Sequence, residues 1–287
     1  MKMYPYIIMI LLMSVWQLNA QSLGVEIEQL LSSPNKYKVI DAREAKKYLT
    51  SHIDKALNFP ADLTYEKKKI DGRIVQASKM QKIIRKLGLN IDDHIVIYDD
   101  GKFFDAARLF WAFEVYGFKN VKLLNAGMKQ WKKHNLAIST LIPKVKSSNY
   151  IVSVNNNRIA TKFTTQIATK NPNQTILDAR SIKAYNGITS MSKRYGHIPT
   201  AIHLEASKNI DISQNVTKLK TSQSLKKLYL DINKNTQVIV YCALGKIASL
   251  NYFALRELDY NVANYDASWK EWGNDLRLPI VNPSKNQ

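Results

Sequence analysis

Cysteine is almost absent from this chain: among 287 residues only Cys242 carries a thiol, so no intrachain disulfide can form. Acidic residues are scarce too, 23 against 42 Lys and Arg, for a formal net charge of +19. A surplus of that size raises nucleic acid as a partner. The lysines, however, are scattered through YEKKK, QKIIRK, WKKH and SLKKLY, alternating with apolar residues at helical spacing. That pattern reads as solvated helix faces and points away from nucleic acid. A positive surface still steers small anions, and contacts with anionic envelope surfaces, and salt weakens the effect.

Long apolar runs are missing except at the start, MKMYPYIIMILLMSVWQLNAQS. Its apolar core, Tyr6 to Met13, falls short of the roughly 20 residues a membrane-spanning helix needs. A lysine ahead of it and a polar stretch ending at Ala20 read as a signal peptide over residues 1–20, cleaved near Ala20. The mature chain is therefore expected to be periplasmic or secreted. In an oxidising compartment a solitary thiol has to be buried or put to use.

The rest of the chain is written twice. KVIDAREAKKYLTSHIDKALNF, Lys38 to Phe59, lines up with TILDARSIKAYNGITSMSKRYGHIPTAIHL, Thr175 to Leu204, the second copy being longer between Arg and His. HIVIYDDGKFFDAARLFWAFEVYGFKNVKLLNAGMKQWKK, His94 to Lys133, matches QVIVYCALGKIASLNYFALRELDYNVANYDASWKEWGND, Gln237 to Asp275, in the same order. Repetition of this kind divides the chain into a first domain at 21–140, a linker at 141–156 and a second domain at 157–287. Short apolar runs (KVID, HIVIYD, NVKLLN; TILD, QVIVYC, NVANYD) alternate with amphipathic helical patterns. This predicts two tandem α/β domains, each a parallel sheet with helices on both faces.

Cys242 ends the strand QVIVY and precedes a helix. In open α/β sheets ligands bind at that edge. Gly245 allows the loop a tight turn. Successive N–H groups there can converge on an anion, and the helix start adds partial positive charge. A thiol so placed is favoured as thiolate. The first copy has Asp99 at this position, so the fold does not require sulfur and the first domain is expected to be non-catalytic.

Three stretches together resemble the rhodanese family of thiosulfate and 3-mercaptopyruvate sulfurtransferases in its two-domain form. They are YCALGKIAS around Cys242, HIPTAIHL with Thr200 where Gly is usual, and VANYDASWKEW with Ala267 where Gly is usual. The resemblance implies sulfane-sulfur transfer through a Cys242 persulfide, from a small anionic donor to cyanide or a thiol. It implies that the backbone of Ala243, Leu244, Gly245, Lys246, Ile247 and Ala248 holds the anionic sulfur, with Arg180 binding substrate. It implies neither metal nor organic cofactor. Ala243 and Leu244 offer no charge or hydroxyl, and a second Arg expected from the family falls on Ala184. The departures favour thiosulfate or a related persulfide donor over mercaptopyruvate. They also motivate an alternative, a non-enzymatic persulfide carrier or envelope binding module. A phosphatase or arsenate reductase is disfavoured, because the Arg that would close a Cys-x5-Arg loop is Ala248.

Residues present in both copies read as structural. Asp41 and Asp178 belong to the Asp-Ala-Arg turn, and His52 and His197 anchor loops. Trp131, Trp269 and Trp272 read as core or interface aromatics. Arg180 has a partner in Arg43, and Lys246 in Lys102, which leaves a structural or solvated role open for each.

Overall fold

The computed structural model describes residues 22–66, 71–213 and 216–286; the leader at 1–20 lies outside the described residues. The short apolar runs form two five-stranded sheets of corresponding order. The first runs Gly24–Val25, Val121–Leu124, Ile95–Tyr98, Lys38–Asp41, Leu57–Asn58. The second runs Ile159–Ala160, Val262–Tyr265, Gln237–Tyr241, Gln174–Asp178, Ile202–His203. Every pairing within them is parallel, with Ile97 beside Ile40 and Val240 beside Leu177. All residues of Ile95–Tyr98 are buried, as are Val238 to Tyr241. Burial on both faces is why these strands read as continuous apolar runs.

The helix Ala77–Lys86 is amphipathic as expected: it buries Met80 and Ile84 and ends in Arg85 and Lys86, whose charges suit a helix C-terminus. The helices Phe104–Val115 and Ala248–Glu257 depart from the amphipathic expectation and are buried almost all round. Each is pressed between its own sheet and the other domain, which leaves no polar face. Phe110 meets Phe253 edge-on at 5.1 Å. Beside them Arg256 grips Glu114 at 3.0–3.2 Å, and the Tyr252 hydroxyl donates to the same carboxylate. One apolar core therefore runs through both domains, each fully buried Phe contributing about 1.5–3 kcal/mol.

The linker is tied to the first domain. The Leu141 carbonyl faces His52 Nε2 at 3.1 Å, the Ser148 amide donates to Arg85 at 3.0 Å, and the Tyr150 hydroxyl donates to the Tyr116 carbonyl at 2.5 Å. An antiparallel pair, Ile210–Ser213 with Val216–Leu219, adds to the second domain an element the repeat does not announce. Among the described residues no helix is long and apolar enough to cross a membrane.

Candidate active site

Cys242 stands where Gln237–Tyr241 ends, and residues 243–247 lead into the helix Ala248–Glu257. One edge of this loop is stitched to the segment after Val262–Tyr265. The Cys242 amide donates to Ser268 Oγ at 3.1 Å, the Cys242 carbonyl accepts from the Trp269 amide at 2.9 Å, and the Ala243 carbonyl accepts from Lys270 at 3.0 Å. Gly245 turns the chain with φ +68°, a region that glycine enters at low cost and that strains a residue with a side chain. Its carbonyl collects three donors: Arg108 Nη1 at 3.1 Å, Asn264 Nδ2 at 3.0 Å and Ser249 Oγ at 2.9 Å. With these carbonyls engaged, the N–H groups of residues 243 to 248 find no acceptor among the described residues.

The first domain carries the same loop with an occupant. The Asp99 carboxylate accepts from the amides of Gly101 at 2.7 Å, Phe103 at 3.1 Å, and Asp105 and Ala106 at 3.2 Å each. Burial pushes the Asp99 carboxyl above the usual carboxylate range, and the amide bonds pull it back. A loop of this design gathers amides around an anion; in the second domain a thiol takes that place.

The Asp-Ala-Arg turns are built alike, as expected for structural residues. Arg43 holds Asp41 through Nε and Nη2 and reaches the Ser51 carbonyl; Arg180 holds Asp178 the same way and reaches the Gly196 carbonyl. Tyr98 and Tyr241 donate their hydroxyls to Asp41 and Asp178 at 2.6 and 2.5 Å. The copies differ at Nη1. Arg43 Nη1 donates to Asp100 at 3.4 Å, and Lys47 binds the same carboxylate. In the second copy Ala243 follows Cys242 as Asp100 follows Asp99, and Ala184 stands four residues after Arg180 as Lys47 stands after Arg43. Arg180 Nη1 is left buried with no partner among the described residues. Arg180 thus fixes the turn and keeps one guanidinium nitrogen unengaged among the described residues. Its guanidinium lies 4.5 Å from the Trp269 ring.

A cavity of about 370 Å³ opens beside this turn, lined by Ala243 and Ile247 from the loop, and by Arg180, Trp269, Met191 and Glu205. Phe104 reaches in from the first domain, and the extra length of the second copy supplies Met191. Lys246 brings no cation to this cavity: it pairs with Asp105 of the first domain at 2.5 Å and lines a separate cleft of about 20 Å³. The physical reason is that an unneutralised carboxylate lies within its reach across the domain boundary. The thiol is also not open to solvent, since Cys242 is 1 % exposed; only its loop neighbours Ala243 and Ile247 face the cavity. Leu244, Gly245 and Ala248 shape the loop without lining the cavity.

Sequence reasoning missed Arg108. It is fully buried, donates to Thr64 Oγ1 at 3.1 Å and the Gly72 carbonyl at 3.3 Å, and lies between the Tyr65 and Trp111 rings. An arginine inside the apolar run AARLFWAF was the available signal. His52 and His197 anchor loops as expected, each stacked on a tyrosine, Tyr48 or Tyr185, at 3.8 Å, with Nδ1 bonded to that residue's carbonyl. Trp131 and Trp272 are core residues, whereas Trp269 also walls the cavity. Among the described residues no cluster of His, Cys, Asp or Glu is suited to a metal ion.

The model of the rhodanese-like domain matches the chain twice, over residues 25–134 and 160–275. The chain belongs to the rhodanese family. Among its relatives, a thiosulfate sulfurtransferase of Corynebacterium glutamicum is 32% identical over 219 residues, covering 72% of each chain. The 3-mercaptopyruvate sulfurtransferase of Escherichia coli is 26% identical over 261 residues, covering 88% of this chain and 90% of that one. The crystal structure of the enzyme SseA from Escherichia coli superimposes with a TM-score of 0.77 at 24% identity, covering 86% of this chain and 99% of its own. Both expectations from the sequence, a tandem rhodanese architecture and an enzyme of the sulfurtransferase class, agree with these relationships.

Proposed function

We propose that this rhodanese-family sulfurtransferase moves sulfane sulfur through a persulfide on Cys242. The observation that carries the reading is the pair of loops: in the first domain the amides of Gly101, Phe103, Asp105 and Ala106 bind a carboxylate, and in the second, where a thiol heads the loop, the amides of residues 243 to 248 find no acceptor among the described residues. The Cys242 thiolate attacks the outer sulfur of an anionic donor such as thiosulfate. A bond forms between the two sulfurs, and the donor's own sulfur–sulfur bond breaks, its electron pair leaving with sulfite. The negative charge of the persulfide then lies where the loop amides stabilise it. Cyanide or a thiolate attacks the terminal sulfur and returns Cys242 as thiolate. Arg180 Nη1 supports this by offering a buried donor to the anionic part of the donor molecule. The donor enters from the cavity past Ala243 and Ile247. The leader at residues 1–20 supports an exported enzyme, and the excess of Lys and Arg supports peripheral contact with anionic envelope surfaces.

Rapid mixing with a sulfur donor followed by intact mass analysis tests the proposal. One sulfur atom should be gained by the wild type and not by Cys242→Ser, and excess cyanide should remove it with turnover. Failure of every donor to add sulfur would overturn the reading. Sulfur that loads once and never transfers would make the protein a carrier.

A further inference from the structure

Resting on the envelope contact proposed above, we propose that one face of the first domain and the linker docks on an anionic phospholipid surface. Exposed leucine and isoleucine side chains enter the acyl region there, and lysines meet the phosphates. Two clefts of about 530 and 710 Å³ share Pro143 and Val145 of the linker as a common wall. Leu31 lines the first cleft, Leu49, Leu63 and Ile142 line the second, and all four are exposed. Leu141, next to Ile142, is 79 % exposed. Apolar side chains gathered on one face mark a docking surface, whereas single ones scattered over a protein do not.

The fold does not ask for these residues. Tyr48 and Tyr185 hold the same place in the two copies, each donating its hydroxyl at 2.8 Å to an alanine carbonyl, Ala56 or Ala201. The residue that follows is Leu49 in the first copy and Asn186 in the second. The short turns Ala61–Thr64 and Ala206–Asn209 correspond as well, since the amides of Ala61 and Ala206 donate to Ala42 and Ala179 of the two Asp-Ala-Arg turns. Leu63 in the one is Lys208 in the other. The linker is held with its apolar side chains outward: the Leu141 amide donates to Ser139 Oγ at 3.0 Å, and Ser148 is fixed to Arg85 beyond them.

Charge chooses the occupant. Lys55 lines the first cleft and Lys86 the second, while Lys144 and Lys146 flank Val145 in LIPKVKS. All four are exposed, and none forms an ion pair among the described residues. Lys38 also lines the first cleft but is paired with Asp93 at 2.7 Å. Asp54 lines the first cleft, and no acidic residue lines the second. A second copy of this chain would set the lysine-rich rim against itself. An anionic bilayer offers phosphates to the rim and hydrocarbon to the centre. Neither cleft shares a lining residue with the cavity beside Cys242. The non-catalytic domain thereby acquires a task, holding the enzyme at a membrane through residues the catalytic cavity does not use.

The test is co-sedimentation of the full chain with vesicles of phosphatidylcholine alone and of phosphatidylcholine with phosphatidylglycerol. The protein should sediment with the second and stay in solution with the first. Lys144→Gln with Lys146→Gln should weaken association roughly ten-fold or more, at about five-fold per lysine near an anionic surface. Lys226→Gln with Lys227→Gln, the same change of charge on the helix Ser222–Leu228 of the second domain, should weaken it far less. Leu49→Asn with Ile142→Ser should weaken it at unchanged charge. A polarity-sensitive dye on Ile142→Cys, in a Cys242→Ser background, should shift to shorter wavelength on the phosphatidylglycerol vesicles, and the same dye on Lys226→Cys should not. That readout is local to the face, whatever the leader at residues 1–20 adds to binding. Equal weakening by both lysine pairs, equal binding to both vesicles, or a dye at Ile142→Cys that stays in water would overturn the proposal. A dimer in light scattering that Leu49→Asn with Ile142→Ser dissolves would overturn it too, making the face a subunit contact. Absence of sedimentation with either vesicle would overturn the envelope contact itself. The sulfurtransferase reading is judged separately, by Cys242 loading without vesicles.

Discussion

Arg108 of the first domain donates from Nη1 to the Gly245 carbonyl of the second, over 3.1 Å and with both residues buried. The Cys242 loop is therefore held partly from outside its own domain. Nearby, the Ile74 amide of the first domain donates to Asp266 at 2.6 Å. Burial pushes the Asp266 carboxyl up, and Arg108 is the main influence pulling it back. Arg108→Met removes that cation and one of the three donors on the Gly245 carbonyl. A buried polar group left without its partner costs about 1–3 kcal/mol, so the melting temperature should fall. Persulfide formation, measured on the folded fraction at low temperature, should slow as well. Arg108→Lys should fall between, because a lysine cannot reach Thr64, Gly72 and Gly245 with one planar fork. A loading rate equal to wild type in folded Arg108→Met would show that the loop does not depend on this contact.

Asp99 makes a prediction of the opposite kind. Its carboxylate serves the amides of Gly101, Phe103, Asp105 and Ala106, and Asp99→Ala leaves them without it. Unsatisfied buried donors cost about 1–3 kcal/mol, reduced here by relief from burying a carboxylate. Denaturant unfolding should record the loss. Loading of Cys242 should be unchanged, since the two loops are filled independently; a matching loss of loading would argue that the first loop supports the second.

How much of this was legible in the sequence depends on whether a residue acts within its own repeat. The strands were legible because Ile95–Tyr98 and Val238 to Tyr241 are buried on both faces and so read as apolar runs. Cys242 was legible because the other copy has Asp99 in its place. Arg108, Phe104 and the pairing of Lys246 with Asp105 were not, because each exists only where one domain meets the other. The free Nη1 of Arg180 was half legible: Ala184 and Ala243 were seen as departures, but what they leave open emerges only beside the filled Arg43–Asp100–Lys47 arrangement.

The two departures from the family's glycines have different physical consequences. Thr200 is exposed and lies at φ +65°, and Lys55 occupies the matching place in the first copy at φ +61°. A left-handed residue with a side chain costs about 1–2 kcal/mol, partly offset because glycine loses more backbone entropy on folding. Thr200→Gly should therefore stabilise the protein by about 0.5–1 kcal/mol, visible as a small rise in melting temperature. Ala267 lies at φ −69°, where alanine is unstrained, so Ala267→Gly should lower it. Thermal unfolding of both variants decides the matter: a fall for Thr200→Gly would mean that its side chain supplies more than its backbone costs.

His197 sets a pH dependence whose sign follows from its surroundings. Burial is the largest influence and lowers its pKa; the bond to the Tyr185 carbonyl and the charge of Asp178 oppose this, while Arg180 and His203 reinforce it. The imidazole is thus neutral in the folded protein at a pH where an unfolded histidine, titrating near about 6.5, already binds a proton. The unfolded state binds more protons over that interval, so stability falls as pH drops through about 6.5 toward the lower folded value, and this contribution is fully present above it. His197→Asn removes the titrating group. Melting temperatures of wild type and variant between pH 7.5 and 5.5 should converge as the solution is acidified, whatever the variant loses through the Tyr185 stack. Parallel curves would mean that the buried ring takes its proton as readily folded as unfolded.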